Sequence, residues 1–490
     1  MSEILTKIIP SNPAHKSPFA VISHESIHDH VIAAGMMERD RKFSVPDYIC
    51  STLSYVAQAP NYNHTLAGAH SLYKINTGSD ISCKCVHKNI VKDKALTVVE
   101  NIASEFLASV SGFIKRRIKK ALRCANLSAL LKFLGVEDII LIDGTEVSVR
   151  PGCRPKFDCK TKGRKRLDGR GQEIDGAAGI KLHIAYSVVK ATYEYVTVTE
   201  GVGSEREQVL LEQFHNCLII MDRGYVDDDL EDAIIASGNQ FIIKGKKSMA
   251  CKIKRAIDTD KNVVDTTLVG TKVSALPENG NYDCQVEKKN GSVIRVIKTH
   301  HATDNEEDKN TILRTSLNVK GVDIKVIYQL YRIRWQIELF NKCLKSGNGL
   351  LAINSTKKTI VMQYILFSLI VALLKTYAAF KAQARHEDEW LSLLKVHTDK
   401  GLCKVFGNFI CCFITHGRSS IFQKFKELQD NIVEICPRSE ISERDRSKLK
   451  DLPLLIEKVV FTIAHNLNLN LYSGTKLFRY LGMSKISKGL

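Results

Sequence analysis

The feature that most constrains this chain is a change of rhythm near residue 137. Before it, apolar residues recur at helical spacing, most plainly over Val98–Leu134. From Asp138 to Val149 the residues are β-branched and apolar, which reads as a strand. Ala178–Val189 and Tyr193–Glu200 read as two more strands, parted only by Lys190–Thr192. Three strands with close turns predict an antiparallel meander. The pattern then alternates: helix over Ser204–Phe214, a short buried strand over Cys217–Met221, helix over Asp227–Ser237 and strand over Gln240–Lys244. Such alternation calls for parallel crossovers.

Three antiparallel strands followed by parallel units are the layout of a ribonuclease-H-like fold. The fold class expected is therefore α/β, a mixed-sheet catalytic core with a β-rich insertion and helical regions at both ends. The expected boundaries are a helical region 1–135, the first part of the core at 136–245, the insertion at 246–318, the second part of the core at 319–384 and a helical region 385–490. Within the insertion, Val263–Leu276, Tyr282–Val286, Ser292–Thr299 and Thr311–Leu317 read as short strands. With 490 residues the chain can bury a large core without covalent staples. Its 14 cysteines form no C-x-x-C pair, so reduced thiols in a cytoplasm are expected. Met1–Lys16 lacks the pattern of a signal peptide. Thr359–Leu374 is apolar but is interrupted by Gln363 and Ser368. It falls short of the roughly 20 residues that span a bilayer, so a buried core helix is expected and no membrane partner.

Charge narrows the partner. Lys plus Arg number 71 against 53 Asp plus Glu, a formal net charge of +18, which favours an anionic surface such as nucleic acid. Lys115, Arg116, Arg117, Lys119, Lys120 and Arg123 crowd one helical stretch. Nine basic residues, Arg164, Lys165 and Arg166 among them, fill the loop Arg150–Arg170. Either cluster suits phosphate contacts; either equally suits a solvated surface. His24-Glu25-Ser26-Ile27-His28 fits the H-E-x-x-H zinc pattern, but no third ligand is evident downstream, and a chance match on a surface helix is the reading preferred. Cys83, Cys85 and His87 alternate as on a strand, at a spacing unlike common zinc sites. His183 reads as a core or surface histidine.

The chemistry concentrates elsewhere. If Asp323–Ser346 is one helix at 100° per residue, Tyr331, Arg334, Glu338 and Lys345 fall within a sector of about 60°. Val326, Ile333, Ile337, Phe340 and Leu344 then gather on the opposite side, the stripe that anchors the helix. Asp143 lies inside an apolar strand, where a carboxylate needs a partner. Asp222 ends a buried strand, where open α/β sheets place their sites. Two strand carboxylates with a helix glutamate make an oxygen-ligand set suited to Mg²⁺, and metal pairs held this way serve phosphoryl transfer.

Asp143, Asp222-Arg-Gly-Tyr225 and Tyr331-x2-Arg334-x3-Glu338-x6-Lys345 resemble the signature of bacterial cut-and-paste DDE transposases, specifically the insertion-sequence-four family with its Tyr-Arg-Glu-Lys motif. The resemblance covers roughly 137–380. It implies a ribonuclease-H-like core with Asp143, Asp222 and Glu338 as catalytic metal ligands for Mg²⁺, with Mn²⁺ able to substitute. It implies cleavage at the ends of a mobile element, a hairpin intermediate and strand transfer into target DNA. Tyr331, Arg334 and Lys345 would hold phosphates, and the neighbouring Arg223 and Trp335 are counted with them as DNA-binding. The implied partners are double-stranded DNA, as terminal inverted repeats and target, and a second copy of the chain in a paired-end complex. The implied place is a bacterial cytoplasm, at the nucleoid. By analogy the amino-terminal region would recognise the repeats and the region beyond 385 would dimerise. One departure is plain: some relatives stabilise a flipped base with a Trp from the insertion, whereas the two tryptophans here are Trp335 and Trp390. Either Tyr282 or another group stacks on the base instead, or stacking matters less here, and the hairpin step is where this chain departs from the pattern. Two other readings stay open: a DNA-binding regulator that no longer cuts, and a metal-dependent nuclease without strand transfer.

Overall fold

The computed structural model describes residues 4–467 except 11–15, 37–42, 59–63, 122–124, 247–250, 302–309, 351–352, 386–390, 416–417 and 438–451. Within 151–177 it describes only 153, 157, 166–167 and 173–174. Apart from a two-residue ladder between Arg166–Leu167 and Glu173–Ile174, the strands are β1 (Ile4–Ile8), β2 (Asp138–Val149), β3 (Ala178–Ser187), β4 (Thr192–Glu200), β5 (Cys217–Met221), β6 (Gln240–Lys244), β7 (Lys252–Asp258), β8 (Val263–Val264), β9 (Tyr282–Glu287), β10 (Val293–His300) and β11 (Asn310–Thr315) among the described residues. They form one mixed sheet in the order β1-β4-β3-β2-β5-β6-β11-β10-β9-β7-β8. β2 pairs antiparallel with β3, and β3 with β4. β5 pairs parallel with β2, and β6 with β5. The segment 246–318 continues this sheet, because β11 pairs antiparallel with β6.

Strand alternation divides the interior in two. Ile139 and Leu141 of β2 point into a core shared with the helices, and Ile140 and Ile142 point into a second core on the other face. Into the second core pack Ile234 of a helix at Asp228–Ala236 and Ile253, Cys284, Val286 and Val296 of the insertion strands. The first core takes in α1 (Asp93–Ala121), α2 (Ile324–Arg332), α3 (Trp335–Lys342) and α4 (Lys358–Gln383). α4 extends beyond the 16 residues expected. It is long and apolar enough to cross a membrane by length and composition, yet its apolar window is almost wholly buried inside the protein. Ile365, Leu369 and Ala372 have no exposed surface.

Several local expectations are corrected. The described amino-terminal region is mostly helical, as expected, with one added strand: β1 pairs with β4 at the sheet edge. Cys83–Ile90 is a helix, not a strand: the Ser82 side chain accepts from the Cys85 N–H at 3.3 Å, and Val86 and Ile90, four apart, are buried. The helix expected over Ser204–Phe214 is two single 3-10 turns, Arg206–Gln208 and Leu211–Gln213. There the Tyr195 hydroxyl donates to the Gln208 carbonyl and accepts from the Leu210 N–H, tying the backbone outward. The strand expected over Val263–Leu276 stops at Val264, where Asp265 caps a 3-10 turn. β7 was not anticipated, its apolar residues being hidden among Lys252, Lys254 and Arg255.

Asp323–Ser346 is also not one straight helix. α2 ends at Arg332, and the N–H groups of Ile333 and Arg334 donate to carbonyls three residues back, Leu330 and Tyr331. α3 follows and ends in a wide π turn at Cys343–Gly347. The tight turn advances the side chains and the wide turn sets them back, so the even 100° count does not hold.

Candidate active site

The register of β2 and β5 places the two aspartates. The strands pair in parallel through Leu141↔Ile220 and Ile142↔Met221. Asp143 and Asp222 are the next residues on each. By alternation Asp143 shares a face with Ile139 and Leu141, and Asp222 with Leu218 and Ile220; all four are in the core on the helix side. Two carboxylates therefore stand on neighbouring strands, on the face that α2 and α3 cover.

Ile327, Leu330, Ile333 and Ile337 are fully buried and Phe340 nearly so, which seats both helices on that face. Polar groups of the helices then meet the acids. The Tyr331 hydroxyl donates to Asp222 Oδ1 at 3.1 Å. Asn341 Nδ2 donates to Asp143 Oδ2 at 2.9 Å. Arg334 pairs with Glu338 one turn on, and its guanidinium carbon lies 5.7 Å from the centre of the Tyr331 ring. Tyr331, Arg334 and Glu338 thus meet the two aspartates despite the break in the helix.

The electrostatics differ between the acids. Burial pushes the Asp143 carboxyl up to about 6; Arg334 opposes this, and Glu338, Asp222 and Glu205 add to it. Partial burial pushes Asp222 up too, but Arg334, the Arg223 N–H, the Tyr331 hydroxyl and Lys244 together hold it below its ordinary value. Burial pushes the Tyr331 hydroxyl up, against the pull of Arg334, so it remains a donor. Burial lowers the Lys345 ammonium, while Asp143 and Glu146 draw it back up, which sets Lys345 near the same acids on the π turn. Arg334 is the cation common to both aspartates and to Glu338. Among the described residues no group of three or more His, Cys, Asp or Glu side chains is gathered closely enough to hold a metal ion.

Of the other anticipated residues, Arg223 meets Asp222 through its backbone N–H alone. Arg223 is exposed at the start of a 3-10 turn, and Trp335 is partly buried at the first turn of α3. Lys115, Arg116, Arg117, Lys119 and Lys120 are on α1, but their side chains lie outside the described residues, as do Arg123, Arg164 and Lys165. The Arg166 backbone pairs with Ile174 in a two-residue ladder, and its side chain is likewise outside. His183 opposes Gly144, facing away from the side that carries Asp143; it is buried, with Nε2 2.8 Å from Thr199 Oγ1. His24 is 3.6 Å from Asp47, and His30 Nε2 is 2.7 Å from Glu105.

Sequence reasoning missed Asn341 and Glu205. Asn341 follows Glu338 by three residues on the same helix, a spacing that puts both on one side, and that signal was available. Glu205 sits beside Gly144 and Gly224, each close to one of the aspartates in sequence; only the folded chain reveals it.

Residues 134–374 match the family model described as the transposase DDE domain. A protein of Geobacillus stearothermophilus named as the probable transposase for insertion sequence element IS5377 is 22% identical over 331 residues, covering 66% of this chain and 74% of that protein. Both matches support a DDE transposase.

Proposed function

We propose that this protein cuts DNA at the ends of a mobile element and joins those ends to target DNA, with Asp143, Asp222 and Glu338 as its catalytic carboxylates. The observation that carries the proposal is the placement of Asp143 and Asp222 on adjacent parallel strands, on the face where α3 presents Glu338. The strand order β4-β3-β2-β5-β6, with three antiparallel strands and then two parallel ones, supports a ribonuclease-H-like core, and 246–318 is then its insertion.

The residues fit a divalent cation in donor chemistry. They offer hard carboxylate oxygens, and the positive charge among them comes from a side chain, Arg334, that also belongs to the phosphate-binding set. Asp143, Asp222 and Glu338 would hold Mg²⁺ or Mn²⁺, with Arg334, here paired with Glu338, the neighbouring group for a phosphate. Bound ions of this kind activate the attacking water or hydroxyl and stabilise the leaving oxygen. The chain's own groups do the rest. Tyr331 and Asn341 orient the two aspartates. Arg334 offers a planar fork to phosphate oxygens, and Lys345, held near Asp143, adds a point charge for the cleaved end. A homodimer on paired ends, with a hairpin intermediate, completes the reading; both rest on the resemblance.

The test is the product. The purified protein, given duplex DNA carrying the inverted repeats that flank its coding region and Mg²⁺, is expected to release the ends and join them to a second duplex. Bound but uncut DNA would favour the regulator, and cut DNA without joining would favour the nuclease. Absence of both cleavage and joining under Mg²⁺ and Mn²⁺ would overturn the proposal.

A further inference from the structure

Beneath the aspartates lies a pair that the reaction outlined above does not use. Glu205 and Lys181 form an ion pair, with Lys181 almost wholly buried in β3 and Glu205 three-quarters buried. Lys181 stands opposite Glu146, and His183 opposite Gly144. By alternation, Lys181 and Gly144 therefore face the side of the sheet away from Asp143. The Glu205 carboxylate reaches that side and fits between two glycines. A Cβ on Gly144 would lie 3.0 Å from Glu205 Oε1 and 2.9 Å from Lys181 Cε, and a Cβ on Gly224 would lie 2.6 Å from Glu205 Oε2. Neither glycine has an unusual φ, so what they supply is space. Gly144 directly follows Asp143, and Gly224 comes two residues after Asp222. The next side chain, Arg206, fastens the same loop: Nε donates to the Gly224 carbonyl at 3.0 Å and Nη1 to Asp227 Oδ2 at 3.0 Å.

We propose that Glu205, neutralised by Lys181, is a positioning residue that braces the Asp143 and Asp222 segments from behind and fixes the separation of the two carboxylates. One carboxylate touches both acid-bearing segments, and two missing side chains admit it. The inference rests on the reading of Asp143 and Asp222 as the catalytic acids. Groups that orient metal ligands from behind typically cost about 10–100-fold in metal affinity or activity when removed.

The test uses full-length protein with four variants: Glu205→Gln, Glu205→Ala, Gly224→Ala and the double variant Glu205→Ala/Gly224→Ala. Glu205→Gln keeps an acceptor for Lys181, and Gly224→Ala guards against simple loss of the fold. Mn²⁺ binding is followed by calorimetry, cleavage is followed at fixed Mn²⁺, and melting is followed without metal. A brace predicts that Glu205→Ala and Gly224→Ala each raise the Mn²⁺ needed for half-saturation by about tenfold. The double variant is expected to be no worse than Glu205→Ala, because the added methyl then meets no carboxylate. Glu205→Gln leaves the buried Lys181 ammonium without its counter-charge and is expected to melt below the wild type, whereas Gly224→Ala keeps the ion pair, so its weaker Mn²⁺ binding is expected without a matching loss of melting temperature. A wild type that binds Mn²⁺ and cuts DNA, with all four variants equal to it, overturns the brace alone. So do additive penalties in the double variant, or losses that follow only the melting temperature. A wild type that neither binds Mn²⁺ nor cuts overturns the functional reading, and the brace falls with it.

Discussion

The Tyr331 hydroxyl donates to Asp222 Oδ1 across 3.1 Å and so joins the last turn of α2 to the end of β5. This one bond ties a helix residue to an acid at the sheet 109 residues earlier in the chain. Tyr331→Phe removes the donor and leaves the ring. Asp222 keeps Arg334 and the Arg223 N–H, so the fold should survive with a loss of about 1–2 kcal/mol. Chemical denaturation checks this, and cleavage by the variant is expected to fall about tenfold if orientation of Asp222 limits the rate.

Arg334 is the cation among three acids, and its removal should expose that. Arg334→Gln leaves Asp143, Asp222 and Glu338 with less positive charge in a partly buried site, at a cost of about 3 kcal/mol. Added Mn²⁺ is expected to restore more melting temperature to this variant than to the wild type. Equal metal responses would contradict the view that Arg334 supplies the charge a cation replaces.

The two aspartates should carry opposite pH signatures. The Asp143 carboxyl is raised to about 6, mainly by burial. A raised acid contributes stability that is complete below its unfolded value and is lost as pH climbs through 6. At pH 7.5 the charged Asp143 therefore costs about 2–3 kcal/mol, and Asp143→Asn should be more stable than the wild type there, with the gap closing below about pH 4. Asp222 is lowered, so its contribution is present above its unfolded value and is lost as pH falls further. Asp222→Asn should be less stable than the wild type at neutral pH. Urea unfolding of both variants across this range checks the signs.

The π turn that carries Lys345 has its own support. The buried Lys375 ammonium donates to the Gly347 carbonyl at 2.7 Å, and Asn348 Nδ2 donates to the Cys343 carbonyl at 2.9 Å. A Cβ on Gly347 would run into the His397 carbonyl oxygen. Gly347→Ala should destabilise the protein by about 1–3 kcal/mol, the range for overpacking a core. It should also weaken retention of cleaved DNA ends, as Lys345→Ala should, measured by gel shift.

Much of the site was legible because its logic is local. Asp143 interrupts an apolar strand and Asp222 directly follows one, and the parallel run of β2 and β5 follows from strand–helix alternation. Tyr331, Arg334 and Glu338 were legible from spacing, although for an imperfect reason. The helix they share is broken at Ile333–Arg334 and ends in a π turn, and no Gly or Pro in Tyr331–Trp335 marks the break. Glu205 was hidden because its meaning depends on two glycines that meet it only in the folded chain. The turns at Arg206–Gln208 and Leu211–Gln213 were misread as a helix because the Tyr195 hydroxyl, ten or more residues away in sequence, claims the backbone there.

The most direct measurement of the central claim is single-turnover cleavage of end-bearing DNA at saturating protein, with DNA binding measured in parallel. The wild type is compared with Asp143→Asn, Asp222→Asn and Glu338→Gln. Each substitution is expected to abolish cleavage in Mg²⁺ while leaving DNA affinity within a few-fold of the wild type, as follows if the carboxylates do the chemistry and the cations hold the phosphates. Cleavage that persists in any one of the three variants would contradict that assignment.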